Sequence, residues 1–191
     1  MRTAAILLAA GESRRLGRPK QLLRYRGKPL LRTLATEACA SRCEGVGVVV
    51  RGGDPAIDAC LEGLPVHVLA NPAWAEGMAS SIRAGVTWAD REAYDGVVLL
   101  VSDQFALTAS HIDDLAGACR PGTAIVASRY GGGLGVPALF LRAMFPALLA
   151  LKGAGGAKAV IRASRRAVAV DWPEGALDVD TPEDAARLPP E

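Results

Sequence analysis

The segment from Leu8 to Lys20, LAAGESRRLGRPK, combines the residue types that bind phosphate groups. Gly11 and Gly17 allow the backbone to approach a ligand closely, and the amides of such a turn form a concave anion site. Arg15 can meet phosphate oxygens through its planar fork, whereas Lys20 supplies a point charge on a long stem. We therefore interpret residues 8–20, the phosphate loop, as a site for a triphosphate.

Positive charge is concentrated around this loop. Eight of the 22 Lys and Arg residues lie between Arg14 and Arg32, where there is no Asp or Glu, although the net charge is only +2. The alternative interpretation is a basic surface loop that follows an edge strand. The loop contains neither GxxxxGK followed by Ser or Thr nor GxGxxG, which disfavours a P-loop ATPase and a dinucleotide-binding dehydrogenase.

Short apolar runs alternate with helical segments, which predicts a mostly parallel sheet with crossover helices. Strands are expected at residues 3–8, 45–50, 66–70, 96–101 and 123–127, all apolar enough for burial on both faces. Helices are expected at residues 29–40, 55–61, 78–88, 109–119, 142–149 and 157–164, with Pro29 at a first helical position and Thr108 as a cap. A glycine-rich bend at residues 131–135 should start an antiparallel excursion over residues 136–141. The predicted architecture is a Rossmann-like, three-layer α/β/α sandwich formed by one domain, residues 1–191.

Ligands of such sheets bind outside the carboxyl ends of the strands. Asp103 ends the apolar run LLVSDQ, so its carboxylate should lie at that edge. Asp178 and Asp180 precede a helix start that Thr181 and Pro182 predict. We expect these acids to converge with the phosphate loop. A capping or turn role is the alternative for Asp103, and a helix-dipole role is the alternative for Asp180.

Composition disfavours several other classes of protein. Nine aromatic residues and a charge concentrated in one segment do not suit a nucleic-acid track, and no apolar stretch reaches the roughly 20 residues of a membrane helix. Cys39 and Cys43, expected on one helix, and the isolated Cys60 and Cys119 form no metal motif. The start of the chain imitates a signal peptide, but cleavage would destroy the phosphate loop. A cytoplasmic protein is expected.

Six segments that follow one another along the chain match a known family pattern. They are LAAGESRRLGRPKQLLRYRGKPLL, NPAWAEGMASSIRAG, SDQFALT, YGGGLGVPALF, LLALKGAGGAKAVI and DVDTPEDAARL, and the first of them matches the opening signature LAAGxSxRxGxxKxLL followed by GxPLL. In these segments the sequence resembles the MobA-like nucleotidyltransferases, and within them the molybdenum cofactor cytidylyltransferases. The resemblance implies the nucleotide-diphospho-sugar transferase type of fold and a transfer of NMP from an NTP to a phosphate acceptor.

The resemblance also implies roles for individual residues. Mg²⁺ would be held by Asp103 and Asp180, and the catalytic set would be Arg15, Lys20 and Asp103. The nucleotide would be bound by Leu8, Ala9, Ala10, Gly11, Ser13, Arg15, Lys20, Asn71, Gly77, Ser80 and Ser81, and the acceptor by Gly132, Gly135, Pro137 and Lys158. An ordinary capped helix with Trp74 packed beneath it is the alternative for residues 71–81. No side-chain nucleophile is needed, and we interpret His67, in a strand, and His111, in a helix, as structural residues without a Ser or Cys partner.

The leading hypothesis is a Mg-dependent enzyme that joins CMP from CTP to molybdopterin, since relatives beginning LAAG, with Ala10, tend to use CTP and those beginning LAGG tend to use GTP. Two departures from the family pattern keep alternatives open. Ser102 and Phe105 flank Asp103-Gln104 where the family usually reads GDQP, and Ala154 replaces the Asp of a GDxGA pattern. The alternatives are a nucleotidyltransferase for a sugar or other small phosphate, and a non-catalytic cofactor chaperone whose partner is a molybdoenzyme.

Overall fold

A computed structural model describes residues 1–164 and 166–188. Its main feature is a seven-stranded sheet in the order β5-β4-β1-β6-β8-β7-β9. Strand β8 is antiparallel to β6 and β7, and the other neighbouring pairs are parallel. The strands are β1 (Thr3–Leu8), β4 (Gly45–Val50), β5 (His67–Ala70), β6 (Gly96–Val101), β7 (Ile125–Tyr130), β8 (Gly133–Leu141) and β9 (Ala167–Asp171), and a separate hairpin is formed by β2 (Arg24–Tyr25) and β3 (Lys28–Pro29). The predicted mostly parallel α/β fold is confirmed.

Helices cover both faces of the sheet. They are α1 (Leu30–Ala40), α2 (Pro55–Leu61), α3 (Met78–Arg91), α4 (Ala109–Gly117), α5 (Phe145–Leu149), α6 (Ala157–Ala163) and α7 (Pro182–Ala186). Apolar side chains of α1, α2 and α4 form one buried cluster with the sheet, and those of α3, α5 and α6 form a second. Because each face of the sheet has its own core, the molecule has the three layers that the sequence predicts.

The central strands follow their sequence pattern closely. Strand β1 lies between β4 and β6, and its six residues are all buried. A strand that is paired on both edges and covered on both faces must be apolar throughout, as TAAILL is. The predicted bounds of β1, β4 and β6 are those of the structure.

The outer strands differ from the prediction. Strand β5 begins at His67, and the expectation that it is buried on both faces is wrong, since Val68 is 48% exposed. It is an edge strand with β4 as its neighbour. Strand β7 begins two residues later than expected, at Ile125, and runs on to Tyr130 because it pairs with both β8 and β9. The sequence did not reveal β9 or the β2–β3 hairpin.

Most helix ends lie within three residues of the ends that the sequence predicts. Thr108 accepts a hydrogen bond from the His111 amide, as predicted, and Thr181 forms a capping box with Asp184. Pro29 was expected to open α1, but it ends β3 and occupies the cap position instead. The helix predicted over residues 142–149 is divided into a 3₁₀ turn and α5, and Cys43 lies beyond the end of α1. In the two described stretches of chain, no helix has the length and apolar character needed to cross a membrane.

Candidate active site

Four charged side chains meet at the carboxyl edge of the sheet. The Lys20 ammonium lies 2.7 Å from Asp180 Oδ1 and 3.2 Å from Asp103 Oδ2. Arg15 donates to the other carboxylate oxygen of Asp180, at 2.5 Å. A backbone hydrogen bond from the Val179 amide to the Asp103 carbonyl holds the two acidic segments together. The predicted convergence of the phosphate loop with the strand end at Asp103 and with the Asp180 segment is therefore observed.

A tight turn sets the position of Lys20. Ser13 has a φ of 55°, its carbonyl accepts from the Leu16 and Gly17 amides, and its hydroxyl accepts from the Lys20 amide at 3.0 Å. Gln21 braces the start of the loop, because its Nε2 donates to the carbonyls of Ala9 (2.6 Å) and Gly11 (3.1 Å). Gln21 is buried. No sequence signal points to this role, because a glutamine next to a lysine is not distinctive.

The two carboxylates dominate the electrostatics of Lys20. Burial alone would lower the pKa of Lys20, but the charges of Asp103 and Asp180 and their hydrogen bonds outweigh burial and raise this pKa. The lysine side chain is only 9% exposed, so it remains a fixed positive charge between the two acids. The pKa of Asp178 is raised by burial, and the charges of Asp180 and Asp103 add to this shift.

A cleft of about 310 Å³ opens beside this cluster. Its walls include the phosphate loop, the start of α3 and the end of β6, with Lys20 and Asp103 at one side. Of the predicted nucleotide-binding residues, those lining the cleft are Leu8, Ala10, Gly11, Lys20, Gly77 and Ser81. The cleft therefore joins the phosphate loop to the helix start that the sequence assigned to the nucleotide.

Asn71 organises that helix start. Its Nδ2 donates to the hydroxyls of Ser80 (2.9 Å) and Ser81 (3.1 Å), and its Oδ1 accepts from the Ala73 amide. Asn71, Ser80 and Ser81 are all buried. The amide of Asn71 thus links the end of β5 to the first turn of α3.

Arg51 directly follows β4 and contacts Trp74, a residue of the cleft wall. Its Nε donates to the Ala10 carbonyl at 3.1 Å, and its guanidinium carbon lies 4.1 Å from the centre of the Trp74 ring. A cation held over an indole face is stabilised by the ring quadrupole. Trp74 is half-buried and lines the cleft, so Arg51 helps to fix a side chain of the cleft wall, a contact that no sequence motif predicts.

The predicted acceptor residues are more dispersed. Gly132 is exposed in the turn between β7 and β8, whereas Gly135 and Pro137 are buried within β8. A side chain at Gly135 would meet the Tyr130 hydroxyl at 2.4 Å. Lys158 is exposed in the first turn of α6 and does not line the cleft.

Comparison with known proteins shows the family of this chain. The model of the MobA-like NTP transferase domain matches residues 5–168. The chain belongs to the MobA-like NTP transferase family. It is 30% identical to the purine catabolism protein PucB of Bacillus subtilis, over 94% of this chain and 92% of PucB. It is 32% identical to the molybdenum cofactor guanylyltransferase of Rhodobacter capsulatus, over 98% of this chain and 95% of that protein.

Among solved structures, the manganese complex of Rv0371c from Mycobacterium tuberculosis H37Rv is similar along nearly the whole chain. Its TM-score is 0.77 at 29% identity, covering 98% of each chain. The MobA-like fold, the charged cluster and these relatives together identify a nucleotidyltransferase.

In this MobA-like domain, Asp103 and Asp180 have the chemistry of a divalent-metal site. Their oxygens already converge on one cation, the Lys20 ammonium. Within residues 1–164 and 166–188 no cluster of three or more His, Cys, Asp or Glu residues could hold a metal. Two carboxylates completed by phosphates and water are the arrangement that Mg²⁺ prefers, so these residues fit the group.

Beside Asp103, a buried amide ties the two halves of the MobA-like domain together. Gln104 Nε2 donates to the Tyr130 hydroxyl (3.1 Å) and to the carbonyls of Val136 (3.0 Å) and Gly175 (3.1 Å). These contacts connect the end of β6 to β7, to β8 and to the turn that precedes Asp178. The family resemblance implies a role for Asp103. It does not predict that the side chain of Gln104 connects these elements.

The two histidines differ from each other. His67 lies in β5, as predicted, and its ring is 5.2 Å from that of Trp88. His111 lies in α4, but the expectation that it has no serine partner is wrong, since its Nε2 lies 2.7 Å from Ser128 Oγ. Ser128 donates to the Pro137 carbonyl, and Trp172 stacks on the imidazole. Burial lowers the pKa of His111 to about 4.

Proposed function

We propose that the protein is a Mg-dependent cytidylyltransferase that transfers CMP from CTP to a phosphorylated acceptor, a molybdopterin, and releases pyrophosphate. The observation that carries this proposal is the cluster of Lys20, Arg15, Asp103 and Asp180, of which Lys20 and Asp103 line the cleft. It combines fixed cations for phosphate oxygens with two carboxylates for a metal, beside a helix start suited to the nucleotide.

An oxygen of the acceptor phosphate attacks the α-phosphorus of the nucleotide. The bond from that phosphorus to the oxygen bridging to the β-phosphate breaks, and its electron pair leaves with pyrophosphate. Lys20 and Arg15 bind the phosphates and offset the charge that develops on the leaving group. Asp103 and Asp180 hold Mg²⁺, which when bound neutralises phosphate charge and helps to orient the reacting groups. The manganese complex of the mycobacterial relative supports a divalent ion in the family.

Lys20 must serve two partners in this scheme. In the structure its ammonium lies between the carboxylates that we assign to the metal. When the nucleotide binds with Mg²⁺, Lys20 would move from the carboxylates to the phosphates. Asp103 and Asp180 would then hold the divalent ion in place of the ammonium, so neither carboxylate would be left without a positive partner.

The choice of CTP rests on Ala10, which resembles the corresponding residue of the cytidylyl relatives. The Rhodobacter capsulatus relative is a guanylyltransferase, so GTP is the nucleotide to compare. We expect pyrophosphate release with CTP and molybdopterin to exceed release with GTP, ATP or UTP. Lys28→Ala is the matched control for Lys20→Ala, because Lys28 is exposed in β3 and does not line the cleft.

The acceptor side supports a second candidate. Ala154 stands where cytidylyltransferase relatives carry an aspartate, so this position offers no side-chain acceptor of hydrogen bonds to a pterin. A nucleotidyltransferase for a sugar or other small phosphate, or a molybdenum cofactor chaperone without turnover that serves a molybdoenzyme, would tolerate this change. With molybdopterin as the acceptor, Ala154→Asp should raise the rate of pyrophosphate release. No gain, together with turnover on a sugar phosphate, would favour the second enzyme; nucleotide binding without any release would favour the chaperone.

A further inference from the structure

An ion pair outside the charged cluster connects the nucleotide side to the acceptor side. Arg83, in α3, donates through both terminal nitrogens to Glu76, from Nη1 to Oε1 at 2.9 Å and from Nη2 to Oε2 at 2.5 Å. The same Nη1 also donates to the Leu151 carbonyl at 2.8 Å. A guanidinium that engages a carboxylate through two parallel bonds is held in one orientation, so the bond to Leu151 is directed as well.

The partner carboxylate reaches the same loop from its other side. Glu76 Oε1 accepts from the Gly153 amide at 3.3 Å, and the Gly153 carbonyl accepts from the Ala79 amide at 3.2 Å. Gly77, with φ of 120°, allows this approach, because a side chain there would lie 2.5 Å from the Gly153 carbonyl oxygen. Residues 151–156, the 151–156 loop, are thus fastened to the start of α3 at two of their residues.

We propose that Glu76 and Arg83 are positioning residues that fix the 151–156 loop against the start of α3 and couple the loop to nucleotide binding. The loop contains three glycines, Gly153, Gly155 and Gly156, so its own sequence restrains it little. It leads into α6, which carries Lys158. This inference rests on the proposed function, because the start of α3 is the part of the cleft assigned to the nucleotide.

The coupling follows from the shared attachment. A nucleotide that orders Gly77, Ser80 and Ser81 also orders the backbone to which Gly153 is bonded. Opening of the loop then costs more when the nucleotide is bound, and fixing the loop favours nucleotide binding by the same amount. The loop is therefore in place for the acceptor when the first substrate is bound.

Hydrogen exchange of the 151–156 amides tests this directly, with CTP and Mg²⁺ as the probe. In the wild-type protein CTP should slow this exchange by about fivefold or more. Arg83→Gln should speed exchange in the free protein and reduce the effect of CTP to less than about twofold, while the affinity for CTP changes by less than about threefold. Arg83→Lys keeps the charge but loses the fork, so it should behave like Arg83→Gln.

Arg142→Gln is the matched control, since Arg142 also joins a carboxylate of α3, Asp90, and a backbone carbonyl, that of Tyr94, away from the loop. It should leave both exchange measurements unchanged. Equal protection by CTP in the wild-type and Arg83→Gln proteins would overturn the proposal, as would CTP binding without protection in the wild-type protein. If CTP does not bind, the proposed nucleotide is wrong. The role of Arg83 in fixing the 151–156 loop is still tested without a ligand, and an unchanged exchange rate in ligand-free Arg83→Gln would overturn it.

Discussion

The two halves of the sheet use different means to build a site. Around β1 and β6, charged side chains from distant segments converge on one point, where Lys20 lies between Asp103 and Asp180. Around β7 and β8, the turn that joins the strands is rich in glycine, and two buried polar side chains, Gln104 and Ser128, bond to backbone carbonyls. The first half can bind and neutralise a polyanion, whereas the second half can mainly shape a surface.

This difference explains why one substrate is easier to assign than the other. A triphosphate requires charge, and charge is visible in residue types. An acceptor that contacts mainly backbone leaves little trace in the sequence, because many side chains are compatible with the same backbone path. Substitutions in the first half should therefore change binding and turnover, whereas substitutions in the second half should change packing.

The largest effect should follow from Asp103→Asn. Loss of one metal carboxylate should lower turnover by at least about 10²-fold, because the charge on the transferring phosphate is no longer offset. Pyrophosphate release measures this, and Mn²⁺ titration in the presence of CTP measures it without an acceptor. Asp114→Asn, an exposed change in α4, is the control. Full activity in Asp103→Asn would place the metal elsewhere.

Lys20→Ala should change the affinities for nucleotide and for metal in opposite directions. CTP binding should weaken by roughly 1.5–3 kcal/mol, the range for hydrogen bonds to charged groups. Mn²⁺ binding to the nucleotide-free protein should strengthen, because the competing ammonium is gone from between Asp103 and Asp180. Isothermal titration of each ligand checks both effects against Lys28→Ala. Unchanged affinity for both CTP and GTP would contradict the phosphate-loop assignment.

In the second half, the expected effects are on packing. A methyl group at Gly175 would lie 2.4 Å from the Trp172 ring and 2.6 Å from the Tyr130 ring. Gly175→Ala should therefore lower the free energy of unfolding by about 1–3 kcal/mol. Gly117→Ala has open space around it and ends α4, so it should stabilise by about 0.5 kcal/mol. Denaturant unfolding of both variants tests this difference in sign. Gly175→Ala should leave the free energy of unfolding unchanged if Trp172 and Tyr130 are loosely packed around Gly175.

The last effect concerns the loss of stability on acidification. His111 is neutral in the folded protein, where its pKa is about 4, while the unfolded chain takes up a proton near the ordinary value of 6.5. Its stability contribution is present above pH 6.5 and is lost as the pH falls from there towards 4. From pH 7 to pH 5.5 the wild-type protein should lose about 1 kcal/mol more of its free energy of unfolding than His111→Gln. His67→Gln, which changes an exposed histidine of β5, is the matched control.

The sequence predicted those parts of the fold that local patterns determine. The runs TAAILL, GVGVVV and GVVLLV predicted three strands with their bounds, and Thr181 with Pro182 predicted the start of α7. Strand β9 was missed because AVAVD is short and half-exposed. The burial of β5 was overestimated because its position at the sheet edge depends on the order of strands, which the sequence of one strand does not contain.

The candidate site also contains features that the sequence predicts and features that depend on tertiary packing. Convergence of Lys20 and Asp103 was predictable, because the carboxyl ends of the parallel strands β1 and β6 share one edge. The place of Asp180 beside them was expected from its position before a helix start and from the family resemblance. The contacts of Gln21, Gln104 and Arg83 were not, because each depends on which backbone carbonyls come within reach after folding. Ser128 beside His111 was overlooked for the same reason, since their elements are joined by tertiary packing alone.

The most direct test of the central claim is a crystal structure with CTP and Mn²⁺, in which anomalous scattering locates the metal. We expect the metal on the carboxylates of Asp103 and Asp180 and the Lys20 ammonium on the phosphates. A metal bound elsewhere, or Lys20 still between the two aspartates with the nucleotide in place, would contradict the account.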